Sequence, residues 1–538
     1  MVDLYLILPQ APLAKGGPTE VGNKAWNLMR LAQAGLPVPP AFVLPTDWRL
    51  RDGPARETAM RQALTNGVAR LEIASGLKFG GSRRPLLVSV RSGAAVSMPG
   101  MMETVLDVGL NGETVEALIG LTGNPRLAWD SYRRLVQGYA EVVADLPTAP
   151  FDALVAAALQ REDALSEREL DHRALRVLTL SMLDCYRALA GRDFPADPQE
   201  QLAAAAAAVF RSWDAPKAVS YRRLNGLSGL SGTAVTVQAM VFGNAGGASG
   251  SGVGFTRDPA TGAREFYYDF QFNGQGEDVV AGRQRLGDHD RLRAALPAVF
   301  ARLSEICREL EALFRDAQDF EFTIQSGSLF LLQTRRAKRT DWAALTIAAD
   351  MVAEGLLSAT EALERLEGID LQGVVRTRFA EPQPEPLATA LAAGVGVATG
   401  AIALDVDAVK RVAAEGEPAL LVRRDTATTD IEGMALAAGI LTASGGRTSH
   451  AAVVARQLGK VCLVGCEGLE IDLEKRQCRI GGALFDEGDF LSLDSNSGAV
   501  YPGRLAPLTE RPERALSAIA EWRRALAARP DAVASPTG

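Results

Sequence analysis

Histidine is nearly missing from this chain, with three in 538 residues. Cysteine is scarce as well. The five present, Cys185, Cys307, Cys462, Cys466 and Cys478, form no C-x-x-C pair and no even framework. That pattern argues against a zinc ribbon or a disulfide scaffold and reads as buried thiols in a reducing cytosol. A basic excess is lacking too: the net charge of −8 argues against a nucleic-acid binder, which needs clustered Lys and Arg. Basic pairs such as Arg83-Arg84 and Arg335-Arg336 remain available to a small anion. No uninterrupted apolar run approaches the ~20 residues of a membrane helix. The N-terminal "MVDLYLILPQAPLAKGG" has no cationic leader and is cut by Pro9 and Pro12, so the expected location is cytoplasmic. What is present, 47% hydrophobic and 23% charged residues, is ordinary globular composition. At roughly 150 residues per domain the length implies about three or four units.

The pattern along the chain is mixed. "NKAWNLMRLAQAGL" carries apolar residues at helical spacing and stops at Gly35, with Pro37, Pro39 and Pro40 beyond it. "PLLVSVRSG" is a short β-rich run ending in a glycine turn. Residues 112–215 read as a helical insert. Strands are expected to return from 216 to 340, and GVGFTRD-PATG-AREFYYDF reads as a hairpin turned by Pro259 and Gly262. A helical stretch and the Pro-rich "AEPQPEPLATA" make a linker over 341–385. Short strands between glycine turns then form a compact α/β unit over 386–505, and 506–538 is expected to be a helical tail with a frayed end.

Four stretches can carry chemistry. In "SGGRTSHAAVVARQLGK" Ser449 or Thr448 can cap a helix that Gly459 ends, so His450 falls in its first turn. There the helix dipole favours a nucleophilic imidazole and, once formed, an anion. Gly445 and Gly446 let backbone approach such a group. A histidine that only hydrogen-bonds nearby backbone fits these residues as well, and His172 and His289 read as surface histidines. In "SVRSGAAVSMPGMMET" a strand ends at Arg91 and a loop of small residues follows, able to point N–H groups at phosphate. "GNAGGASGSGVGFTRDP" reads as a mobile glycine flap over a polyphosphate or as an unspecialised hairpin loop. In "QDFEFTIQSGSLFLLQTRR" Asp319 and Glu321 alternate on one strand, and Gln333 and Arg335 on the next. If the strands pair, two carboxylates and an amide oxygen suit Mg²⁺ and Arg335 suits phosphate; a solvated sheet face with cross-strand ion pairs is the alternative.

Taken together, these stretches describe a polyphosphate site and a separate domain with one exposed nucleophilic histidine. With "GLPVPPAFVL", "SVRSGAAVSMPGMMETVLDVGLN", "AWDSYRRLVQGYAEVV", "TAVTVQAMVFGN", "QGEDVVAG", "LQTRRAKRT" and "GGRTSHAAVVAR" in order, residues 20–505 resemble the pyruvate, phosphate dikinase family, relatives of phosphoenolpyruvate synthase. The resemblance implies a multidomain α+β and α/β chain. An ATP-grasp-like nucleotide-binding region would span 1–340, followed by a swivelling α/β phosphohistidine domain. It implies ATP and Mg²⁺ as cofactors, with catalytic roles for His450, Arg91 and Arg335. Nucleotide and phosphate contacts fall to Lys24, Arg91, Gly100, Met102, Thr104, Gln238, Met240, Val241, Glu277 and Arg335. Metal contacts fall to Asp319, Glu321 and Gln333. Thr448 matches a position that regulatory kinases modify in some members. "VGNKAWNL" departs from the usual pattern by placing Asn23 and Ala25 where glycines are expected, which implies a stiffer loop around Lys24.

The expected function is ATP-dependent autophosphorylation of His450 and phosphoryl relay. Attack at the β-phosphorus would give AMP, and inorganic phosphate would take the terminal phosphoryl group. The family's pyruvate-binding (α/β)8 barrel does not follow before Gly538, so the acceptor site is expected on a separate chain. The alternatives are a partner subunit serving a different small-molecule acceptor, or a non-catalytic regulatory subunit. No nucleic-acid or membrane partner is expected, and a homo-oligomer is allowed.

Overall fold

A computed structural model describes residues 4–527 apart from 51–53, 97, 99–101, 165, 277–287, 428–429 and 447–448. Its residues fall into two compact units, 1–249 with 323–334, and 250–322 with 335–538.

The first unit is built on a five-stranded antiparallel sheet. Its order is Tyr5–Ile7, Ala41–Leu44, Ala234–Ala239, Val88–Gly93, Thr104–Val108. The β-branched and small residues of Ala234–Ala239 are buried along its whole length, as suits a central strand. Helices between Gly112 and Leu224 pack on it through a core that joins Val88, Val90 and Val237 to Leu127, Tyr139, Leu178 and Phe210. Local signals set their ends. Asn111 and Thr114 form a reciprocal capping box, and Asp171 and Asp197 accept N–H groups at their own helix starts. The insert runs past the expected 215: Pro216 opens one more helix, to Leu224.

The second unit begins with the expected hairpin, Gly250–Phe255 against Tyr267–Phe272. The hairpin lies in a four-stranded sheet of order Ser328–Arg336, Gln318–Gln325, Gly250–Phe255, Tyr267–Phe272. Between the strands of 216–340 stand helices Asp288–Ala295 and Pro297–Phe314.

The glycine-rich stretch is not a flap throughout. Gly250, Gly252 and Gly254 sit inside a fully buried strand. A Cβ on Gly252 would lie 2.3 Å from the Phe322 ring, and one on Gly250 2.3 Å from Phe270. These glycines make room for an aromatic layer, and only 243–249 forms a loop.

Residues 388–502 form an eight-stranded mixed sheet. Its centre is parallel: Val397–Ala403, Ala419–Arg423, Gly439–Thr442 and Val461–Val464. Parallel neighbours need crossovers, supplied here by helices Val406–Ala414, Ile431–Leu436 and His450–Gln457. The tail is not wholly helical. Pro507–Glu510 is a strand pairing antiparallel with Arg376–Phe379, where Arg376 and Arg378 both pair with Glu510, and the helix Glu513–Ala527 follows it. The proposed frayed end, from 528, lies outside the described residues.

Candidate phosphotransfer site

In the first unit the helix Pro18–Gln33 is interrupted at Gly22, whose φ of 77° is left-handed. Gly22 lies so close to Gly93 that a Cβ would be 2.3 Å from the Gly93 carbonyl oxygen. The Asn23 N–H donates to the Ala94 carbonyl at 2.8 Å. This crossing brings the turn carrying Lys24 against the end of the strand that carries Arg91. The break falls at Gly22 itself, so Asn23 and Ala25 do not remove it.

Arg91 is half-buried, its Nη1 donates to the Leu332 carbonyl at 3.4 Å, and Thr104 and Thr236 flank it in register. Met102 is half-buried against Ala94, Met98 and Trp213. The neighbouring Glu103 pairs with Lys217 at 2.5 Å. Gly100, expected at the phosphate loop, lies outside the described residues.

The adenine-side residues lie on and just beyond the strand Ala234–Ala239. Gln238 is 2% exposed and its Nε2 donates to the Pro39 carbonyl at 3.2 Å. That side chain is tied into the sheet, because it points inward from a central strand. The Met240 N–H is also engaged, donating to the Leu87 carbonyl at 2.9 Å. Val241 is half-buried at the end of the same segment. Glu277 lies outside the described residues.

One cluster carried no role in the sequence reading. Asp130 is buried, accepting from Arg133 at 3.0 Å, Arg134 at 3.1 Å and Asn244 Nδ2 at 3.4 Å. Burial opposes its ionisation, but Arg134 and Arg133 prevail and hold the carboxyl below its ordinary value. Asn244 thereby anchors the root of the glycine loop. The signal was legible, since the Asp-x-x-Arg-Arg spacing in "WDSYRRL" puts both cations on the acid's helix face.

In the second unit the alternating acids behave as the strand pattern requires. Arg335 Nε donates to both oxygens of Asp319, at 2.7 and 2.8 Å. Burial pushes the Asp319 carboxyl up to about 6, against the pull of Arg335. Glu321 is half-buried on the same strand face, and Gln333 is buried on the strand Ser328–Arg336. Among the described residues no group of three His, Cys, Asp or Glu side chains gathers as a metal site. Asp319 and Glu321 nevertheless supply hard oxygen donors at strand spacing, with Gln333 on the strand Ser328–Arg336, a donor set that fits a divalent cation.

The remaining residues lie in the mixed sheet. After the strand Gly439–Thr442 the chain turns through Gly445, at φ 107°, into the helix His450–Gln457. Ser449, not Thr448, is the cap: its side chain accepts from the Ala452 N–H at 3.4 Å. His450 is the first helical residue, at the C-terminal end of a parallel strand where α/β sheets place their ligands. The expected exposed histidine is half-buried. Its Nε2 atom is sealed from solvent and has no hydrogen-bond partner among the described residues. Thr448 lies outside the described residues. His172, by contrast, is exposed on its helix. All five cysteines are free thiols and four are buried, with burial pushing Cys462 up to about 12.

Two family models match this chain. The pyruvate phosphate dikinase AMP/ATP-binding domain matches residues 55–293. The mobile domain of PEP-utilising enzymes matches residues 415–498, which include His450. The chain is 41% identical over 490 residues to pyruvate, phosphate dikinase of Clostridium symbiosum, covering 90% of this chain and 56% of that protein. To the dikinase of Rhizobium meliloti it is 40% identical over 522 residues, 93% of this chain and 58% of the relative. To pyruvate, phosphate dikinase 2 of Zea mays it is 41% identical over 490 residues, 90% and 55%. The chain spans about half the length of the curated relatives it matches. Transferase, kinase, ATP-binding and PEP-utilising all fit these matches. Among the described residues no helix is long and apolar enough to cross a membrane.

Proposed function

We propose that this chain is a dikinase-type phosphotransferase subunit, which takes a phosphoryl group from ATP onto His450 and relays it. The observation that carries the reading is the sealed, unpartnered Nε2 of a first-turn histidine, in a stretch matching a PEP-utilising mobile domain.

In this reading the Nε2 lone pair of His450, with the ring proton on Nδ1, attacks the β-phosphorus of ATP. The bond from that phosphorus to the α,β-bridging oxygen breaks, and AMP leaves with the electron pair. Inorganic phosphate then attacks the terminal phosphorus of the pyrophosphorylated ring, leaving phospho-His450 and releasing pyrophosphate. Lys24, Arg91 and Arg335 balance charge on the polyphosphate, the larger part of catalysis in phosphoryl transfer. Asp319, Glu321 and Gln333 would hold Mg²⁺, which supplies charge neutralisation on the transferring group. A buried nucleophile must be uncovered before it reacts, so its surroundings have to rearrange or its domain has to move. The reading includes a swivel of residues 386–505 on the linkers either side. The final acceptor is assigned to a pyruvate-binding barrel on a partner chain.

Incubation with ATP labelled at the β or γ position, with Mg²⁺ and with or without phosphate, tests the reading. Wild type is expected to carry acid-labile label and release AMP, and His450→Ala to carry none. Absence of label on wild type under every condition, or ADP in place of AMP, overturns it.

A further inference from the structure

The second unit contains a cleft that none of these roles uses. Its volume is about 280 Å³, close to the lower end of small-molecule sites at ~300–1,000 Å³. One wall is linker, formed by Thr340–Trp342 and Gly373–Thr377. The other is the root of the mobile domain, where Gly394 and Val395 meet the end of the His450 helix.

The charge on these walls is one-sided. Lys460 is half-buried and has no ion-pair partner among the described residues. The Nη1 of Arg456 donates to the Ala393 carbonyl at 3.4 Å, and Arg456 forms no ion pair among the described residues. Arg376 lies 4.4 Å from the centre of the Trp342 ring and donates to Glu510 at 3.1 Å. Asp341, exposed at the rim, is the one acidic residue of the lining. Half-buried cations in a concave, low-dielectric wall raise the local concentration of anions. Arg456 and Lys460 present two positive groups on one wall, and Trp342 offers a flat apolar surface on the other.

We propose that this cleft binds a small organic dianion, a dicarboxylate or a phosphate monoester, which bridges the linker and the mobile domain. The bridging consequence rests on the swivelling reading above; the binding itself does not. A ligand that touches both walls favours the arrangement in which they face each other, by as much as its affinity differs between arrangements. For a ligand that binds that arrangement alone, a concentration one hundred times Kd shifts the population about 100-fold.

Calorimetric titration of the full chain with malonate and with glycerol 3-phosphate, without Mg²⁺, tests the site. At least one probe is expected to bind wild type and to bind Lys460→Glu at least tenfold more weakly, with the melting temperature unchanged. The probe preferred tells a carboxylate ligand from a phosphate ligand. Hydrogen exchange with the bound probe is expected to slow on both walls, 373–377 and 456–461. No binding of either probe to wild type, equal binding by Lys460→Glu, or protection confined to one wall overturns the proposal. None of these readouts needs His450 to be phosphorylated, so an unlabelled wild type would sink the phosphotransfer reading and still leave the cleft tested.

Discussion

Arg335 and Asp319 form a two-point contact across neighbouring strands, with the guanidinium Nε within 2.8 Å of both carboxylate oxygens. Asp319 is 4% exposed, so two opposing effects meet on one side chain. Burial raises its pKa, Arg335 lowers it, and burial prevails, leaving the group at about 6.

The sign of the resulting pH dependence follows from the 3.8 of an ordinary aspartate. Below that value both folded and unfolded chains hold the proton. Between it and about 6 the folded chain keeps a proton that the unfolded chain has released, so stability falls as pH rises through this window. The loss is at most about 3 kcal/mol, from roughly two units at 1.36 kcal/mol each. Urea unfolding of wild type and Asp319→Asn from pH 4 to 7 is expected to show wild type losing stability relative to the variant. In the same variant Mg²⁺–ATP affinity should fall at pH 8, and the gap to wild type should narrow below about pH 6.

Gly22 is a backbone crossing rather than a flexible hinge. Gly22→Ala places a methyl group 2.3 Å from the Gly93 carbonyl and demands a left-handed alanine. A loss of about 2–4 kcal/mol is expected from overpacking and backbone strain together. Because Lys24 follows the crossing, the KM for ATP should rise more than tenfold in whatever fraction folds, measured by labelling of His450.

Gly252 tests the glycine-rich strand. Gly252→Ala drives a Cβ to 2.3 Å from the Phe322 ring and 2.7 Å from the Asp269 carbonyl. A destabilisation of about 1–3 kcal/mol is expected, read as a lower urea midpoint. An unchanged midpoint would restore the flap reading of this segment.

Arg257 is fully buried and bridges Glu311, at 2.9 Å on both oxygens, to Glu354 at 2.8 Å. Burial works against its charge, while Glu311 and Glu354 hold the guanidinium above its ordinary pKa. Arg257→Met leaves buried Glu311 without its cation and Glu354 with only Arg264, at 3.3 Å, and about 3–5 kcal/mol of stability should be lost. The double variant with Glu311→Leu is expected to recover part of that loss, since it removes one of the stranded charges.

The sequence was most legible where the physics is local. The Ser449 cap, the helix start at His450 and the stop at Gly459 follow from side chains within one turn of one another. The strand period of two put Asp319 with Glu321 and Gln333 with Arg335 before any fold was known. The sequence was least legible where a residue's role depends on a neighbour distant in sequence. Glycines at 250, 252 and 254 look the same in a mobile loop and in a strand under phenylalanines.

By itself, then, the sequence determined where most helices and strands lie, where the helix of the single first-turn histidine begins, and which acids and cations share a strand face. The tertiary structure alone decided that Gly22 must cross Gly93, that buried Arg257 joins Glu311 to Glu354, and that the Nε2 of His450 is covered rather than presented. Periodicity and capping are set by bonds between near neighbours, whereas burial and close approach depend on which distant surfaces the chain brings together.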